Sequence, residues 1–212
     1  MADFIQLIVT TYAALFPICN PLGNAAIFLS MTDGEKRSQR AAQALKGSLY
    51  VFGILAGFLL AGTFILSFFG ISLEGVRIAG GFVVASVGVR LLSSSRHQSQ
   101  QPNEEAEAKE KPDISFTPLA LPLLAGPGSI AVVMTQSTQN PHVLSWPTLA
   151  SLIGIALISA TCWIVLREAD KVLGVLGVNG ATALTKIMAF LLLCIGVQLM
   201  IAGIQGVYPV VH

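Results

Sequence analysis

The sequence predicts an all-α polytopic membrane protein, with six transmembrane helices in two inverted three-helix repeats and the first helix of each repeat broken. Three observations carry this expectation. Mean hydropathy is +0.75 and only 11% of the 212 residues are charged, against about 25% in soluble chains. Of the 23 charges, 17 fall in three short stretches: eight in Arg96–Asp113, five in Asp33–Arg40 and four in Arg167–Lys171. Between them lie uncharged apolar runs of transmembrane length, and two of these carry similar Pro/Gly interruptions about a hundred residues apart. Such a composition excludes a soluble enzyme, a nucleic-acid binder and a disordered chain.

Six spans follow in order. The first runs from Phe4 to Leu29 and contains the polar interruption PICNPLGN. Thr32-Asp33-Gly34-Glu35 then has capping-box spacing, which predicts a short polar helix through Arg40. The second span, Gly47–Phe69, is 23 residues without a charge, enough to cross with some tilt. The third covers Ile78–Leu92. Ser93–Ser115 is rich in Ser, Gln, Glu and Lys and lacks apolar periodicity, so it reads as a flexible linker. The fourth span, Thr117–Met134, is interrupted by LAGPGS; the fifth is Trp146–Leu166 and the sixth Ile187–Val207. The expected organisation is a first repeat over 1–92, a cytoplasmic linker over 93–116 and a second, inverted repeat over 117–212.

Sidedness follows from Lys and Arg. The first, third and fifth connections hold 11 of the 12 basic residues, and the other side holds only Arg77. The positive-inside bias places those connections in the cytoplasm and both termini outside. The start, MADF, lacks a basic n-region, so a cleavable signal peptide is not expected. Cys19, Cys162 and Cys194 all lie in apolar runs, which argues against a disulfide framework and a metal cluster.

The halves also resemble each other. At a shift of 105, Pro17 falls on Pro122, Gly23 on Gly128, Asn24 on Ser129 and Ala26 on Ala131; at 108, Val87-Gly88-Val89-Arg90-Leu91 falls on Ile195-Gly196-Val197-Gln198-Leu199. Three spans per half is an odd number, so the second copy must be inverted. Inverted repeats with broken helices in corresponding positions point to a secondary transporter.

The breaks are the candidate site. Pro17 and Pro21 end the first helix near Asn20, leaving Asn20 to cap a new helix with Pro21 at its first position. Ala125-Gly126-Pro127-Gly128-Ser129 repeats the arrangement with Gly before Pro. Each break exposes backbone N–H groups at the positive end of a helix dipole, which suits a carboxylate. Carbonyls left free by the preceding half-helix suit an ammonium, so a zwitterion satisfies both. The competing reading is a pair of proline kinks healed by neighbouring helices.

Weaker features have plainer readings. Gly53-x-x-x-Gly57 is expected to pack helices within one subunit, and Arg90 to snorkel to the headgroups at the inner end of span three. Trp146 and Tyr208, with Tyr50 and Trp163, fit interfacial belts. His97, His142 and His212 lie in loops or at the terminus, and no Asp or Glu lies inside a span. An intramembrane enzyme needs such groups, so an enzyme is not expected, nor is a proton relay through a buried acid.

FPICNPLGNAAIFLSMT, LPLLAGPGSI, TKIM at Thr185–Met188 and the closing IGVQLMIAGI resemble the MarC family of bacterial inner-membrane proteins, which includes SnatA-type neutral amino acid transporters. The resemblance covers the chain outside the linker. It implies six helices in two inverted triplets, with glycine or alanine as substrate for some members. It marks Asn20, Pro21, Gly23 and Asn24, then Gly126, Pro127, Gly128 and Ser129, as substrate-binding. The resulting expectation is a bacterial inner-membrane, multi-pass secondary transporter of small neutral amino acids, with export a candidate direction. Its expected partners are the substrate and the lipid bilayer, with a homo-oligomer as candidate assembly and no nucleic acid, cofactor or metal. The alternatives are an exporter of drugs or other uncharged solutes and, further off, an intramembrane enzyme.

Overall fold

The apolar runs fold as helices because the bilayer leaves backbone N–H and C=O groups no partner except one another. The computed structural model describes residues 2–93, 113–139 and 145–208. Along the chain lie α1 (Ala2–Cys19), α2 (Pro21–Met31), α3 (Arg37–Phe69), α4 (Leu73–Ser93), α5 (Ser115–Leu124), α6 (Pro127–Gln139), α7 (Trp146–Arg167) and α8 (Ala169–Val207). Four stretches (α3, α4, α7 and Asn179–Val207 of α8) are each long and apolar enough to cross a membrane. Two bent pairs bring the number to six if each pair is one span: α1 with α2, at 40°, and α5 with α6, at 68°. Residues 94–112 of the linker lie outside the described residues; at its ends, Ser93 belongs to α4, and Ser115 and Phe116 to α5.

Three expectations are corrected. Thr32 does not start a helix: it ends α2, with its hydroxyl donating to the Phe28 carbonyl at 2.7 Å. The next helix starts at Arg37, where the Lys36 N–H donates to Gln39 Oε1 at 3.1 Å. It then runs unbroken to Phe69, so the polar helix and the second span are one element. The third correction concerns Gly53 and Gly57. Both are exposed, and a Cβ added to either meets nothing within 4 Å, so the motif packs no helix of the same subunit.

Among the described residues, three glycines take backbone that other residues disfavour: Gly34, in the turn after α2, Gly70 and Gly177. Gly70, at φ 64°, ends α3. Gly177, at φ 63° and ψ 171°, divides α8 into Ala169–Leu176 and the long apolar stretch beyond it.

The helices α4 and α8 pack along their length, as do α1 with α7 and α3 with α7; α2 lies against α8 and α7, and α6 against α4 and α3. Leu15, Phe28, Leu55, Leu119, Leu124, Ile155 and Ile158 form the central core. Phe64, Phe68, Phe82, Ile164 and Phe190 point outward, an apolar surface that suits lipid and not water. Glycine permits the closest approaches. A Cβ on Gly47 would stand 3.1 Å from the Ser115 carbonyl, and one on Gly154 would stand 3.0 Å from that of Ile8. A Cβ on Gly88 would stand 2.8 Å from the Ala189 carbonyl, and one on Gly196 would stand 2.6 Å from that of Gly81.

Charged stretches remote in sequence meet at one end. Arg37 pairs with Glu168 at 3.2 Å, Arg40 with Asp170 at 3.3 Å and Lys46 with Asp113 at 2.9 Å. Lys186 donates to the Leu91 carbonyl at 2.9 Å and also to that of Leu92, a cation at the negative end of α4. Hydrogen bonds from Ser115 and Lys46 hold the Asp113 carboxyl at a pKa of about 2. Hydrogen bonding to Lys171, with the nearby charges of Arg37 and Arg167, lowers that of Glu168.

Candidate functional site

At the first break the helix does not stop at its proline. Pro17 is accommodated inside α1, and the turn comes at Asn20, with φ 40° and ψ 56°. Asn is among the few residues that adopt left-handed backbone readily. Its side-chain oxygen accepts the Gly23 N–H at 3.2 Å, so Asn20 caps α2 with Pro21 at the first position. A Cβ on Gly23 would lie 2.3 Å from Asn20 Nδ2; the cap therefore requires glycine there.

The second break is less regular. In α5, Thr117 and Leu121 are extended, each before a proline joined through a cis peptide, Pro118 and Pro122. Residues before proline are driven out of the helical region. Backbone bonds here run from residue i to i−5: the N–H of Leu119 donates to Ile114 and that of Ala125 to Ala120. Pro127 then opens α6, and the Ile130 N–H donates to the Gly126 carbonyl at 3.1 Å.

The structure brings the two breaks into contact. Asn24 Nδ2 donates to the Cys19 carbonyl at 2.9 Å and, across the breaks, to that of Leu123 at 3.3 Å. Ser129 Oγ donates to the Leu124 carbonyl at 3.3 Å and lies 3.9 Å from Cys19 Sγ. Each break is thus closed by a side chain reaching five residues back, Asn24 in one and Ser129 in the other. Asn20, Asn24 and Ser129 are all buried.

A cavity of about 270 Å³ opens beside the second break. Its walls include Ile18 of α1, Val84, Val87 and Arg90 of α4, Leu192 of α8 and the Gly126–Gly128 turn. Of the expected site residues, Gly126, Pro127 and Gly128 line it; Asn20, Pro21, Gly23, Asn24 and Ser129 do not, and build the breaks instead. Arg90, exposed in the last turn of α4 as the sequence reading expects, is also the one charged residue of the lining. A Cβ on Gly128 would come within 2.6 Å of Val84 and 3.4 Å of Ile18, so glycine keeps the cavity open. At this size the cavity falls near the lower limit of small-molecule pockets, about 300–1,000 Å³.

Residues 5–208 match the model described as MarC family integral membrane protein. The chain belongs to the MarC family. It is 34% identical over the whole length of both chains to the inner membrane protein MarC of Citrobacter koseri, and 33% to that of Salmonella arizonae. The membrane protein YvbG of Bacillus subtilis is 36% identical over 97% of each chain. No solved structure matches. Family membership thus covers both breaks, the cavity and the linker.

Proposed function

We propose that this MarC family protein is a secondary transporter of small neutral amino acids of the glycine and alanine type, built as two inverted repeats. The observation that carries the reading is the cavity at the second break, small and apolar-walled, with Arg90 as its one charged lining residue. A guanidinium recognises a carboxylate through charge-assisted hydrogen bonds. The N-terminal turn of α6 adds a favourable dipole on the same wall. Pro122 also lines the cavity, and its carbonyl lies 2.8 Å from the place of a Gly126 Cβ, an acceptor for an ammonium. The valine and leucine walls offer an apolar side chain little room.

Three pairs of contacts support the repeat. Asn24 to the Cys19 carbonyl corresponds to Ser129 to that of Leu124 at a shift of 105. Gly47 against Ser115 corresponds to Gly154 against Ile8 at a shift of 107, and Gly88 against Ala189 to Gly196 against Gly81 at 108. In the last two pairs the partners exchange halves, as an axis relating inverted repeats requires.

The test is counterflow of labelled glycine in proteoliposomes of purified protein. Glycine, alanine and serine compete with one another, whereas tryptophan and amines lacking a carboxylate do not. Efflux of uncharged solutes with no amino acid exchange would replace this reading with the drug-export one.

A further inference from the structure

The cavity walls include residues that exchange with one another under the repeat. Val84 falls on Leu192 at a shift of 108 and Ile18 on Leu123 at 105, and all four line the cavity. The remaining walls do not exchange among themselves. Val87 maps to Ile195, Arg90 to Gln198 and, in the reverse direction, Gly128 to Gly23. The cavity therefore has a floor shared by both repeats and one end supplied by α4 and α6. The equivalent opposite end would be supplied by α8 and α2, which pack against each other.

Gln198 fits that assignment. It is an exposed polar residue in the apolar part of α8, between Val197 and Ile201, both about 40% exposed. No hydrogen bond to it is found among the described residues. An amide facing hydrocarbon without a partner is costly, so polar groups at such depth usually face a water-filled path or another helix. Resting on the transporter reading above, we infer that Gln198 lines the opposite-facing end of the substrate site, in the place that Arg90 takes at the charged end. Glycine then meets a guanidinium at one end and a neutral amide at the other. The carboxylate is held more tightly from the face of the charged end, the cytoplasmic one by the positive-inside bias. A carrier with that asymmetry loads at low concentration inside and unloads readily outside.

The experiment has an accessibility arm and a transport arm. Gln198→Cys and Val87→Cys are placed in a chain whose three native cysteines are replaced, and vesicles are treated with a membrane-impermeant maleimide from either face. Val87→Cys is expected to react from the face of the charged end and Gln198→Cys from the other. In the transport arm, half-saturating glycine is measured from each face. A hydrogen bond to a charged group corresponds to about tenfold in affinity. Arg90→Gln should therefore weaken the charged-end face about tenfold, and Gln198→Arg should tighten the opposite face by a similar factor, each sparing the other side. Labelling of Gln198→Cys from neither face, or from the same face as Val87→Cys, overturns the inference. So does Gln198→Arg with unchanged affinity on both faces; Arg90→Gln acting as expected would then leave the transporter reading standing. Absence of glycine counterflow in the unsubstituted protein would sink the transporter reading, and the affinity asymmetry with it.

Discussion

Asn24 is the side chain on which the two breaks converge, and replacing it measures what that convergence is worth. Its amide is 7% exposed and donates at 2.9 Å to Cys19 and at 3.3 Å to Leu123. Asn24→Ala removes both donors and leaves two buried carbonyls without them. Hydrogen bonds of this kind contribute about 0.5–1 kcal/mol each, so the loss is about 1–2 kcal/mol. For a chain of this length each kcal/mol moves Tm by about 2–4 °C, which puts the fall at roughly 2–8 °C. Asn24→Ser separates the two bonds, because a hydroxyl has one proton and asparagine has two. It should keep the five-residue closure, as Ser129 does, lose the cross-break bond and fall about half as far. The assay uses the protein's own thiols: Cys19 and Cys162 are buried and Cys194 is exposed, so a thiol-reactive fluorophore reports unfolding above a fixed baseline. Ser30→Ala, on the exposed side of α2, is the control and should stay within about 0.5 kcal/mol. Unchanged Tm in Asn24→Ala would refute the idea that this amide holds the breaks together.

Three further expectations concern topology, pH and packing. A reporter fused after His212 should be external and one within Ser93–Ser115 cytoplasmic, read by sided protease or phosphatase assays; a cytoplasmic C-terminus would overturn the six-span reading. Asp113 has a lowered folded pKa of about 2, so its contribution is present above its ordinary carboxyl range and lost as pH falls through about 2. Asp113→Asn should lower Tm modestly at pH 7, since the pair with Lys46 is largely exposed, and converge on the unsubstituted protein as pH falls toward about 2, flattening the acid-side loss. Gly47→Val and Gly154→Val should each lower Tm well beyond Gly53→Ala, because the first two drive a side chain to within about 3 Å of a backbone carbonyl and the third meets open space.

Much of this arrangement was legible because its signals are local. The breaks announce themselves through Asn20-Pro21 and Gly126-Pro127, since proline placement and capping act within a few residues. The basic residues cluster for an equally local reason, their exclusion from hydrocarbon. Misreadings arose where two local signals were equally good. Thr32 and Lys36 both stand three residues before a Glu or Gln, and only the Thr32 hydroxyl's return to Phe28 decides between them. Pro118 was passed over because apolar composition hid a segment that winds with wider turns. Arg90 is exposed in the last turn of α4; that it also lines the cavity could not be read from its own helix, because the facing wall comes from Pro122–Gly128 in the second half of the chain. The Gly53 motif failed for the opposite reason: small residues permit close approach, but do not say that a partner arrives.

Coupling is the point where these strands meet. The apolar runs read from the sequence as spans contain no Asp, Glu or His; Asp3 and Glu74 stand in the first turns of α1 and α4, and Glu74 is the carboxylate nearer the cavity-lining part of α4. It sits against α8 at the end remote from the charged cluster, with Oε1 3.2 Å from the place of a Gly206 Cβ. Gly206 is eight residues beyond Gln198, or about 12 Å along a helix at 1.5 Å per residue. From there Glu74 does not reach the shared floor of Val84 and Leu192. A proton relay needs a titrating group that meets the substrate or its ion in both states, and Glu74 stands outside that region. On the transporter reading proposed above, facilitated exchange, or coupling through backbone and amide carbonyls, is the expected mode. Glu74→Gln is therefore expected to leave glycine exchange and its pH profile unchanged. Were that variant to lose proton-driven uptake while exchange persisted, the relay would run through Glu74, and the division of roles between Arg90 and a proton-silent interior would have to be abandoned.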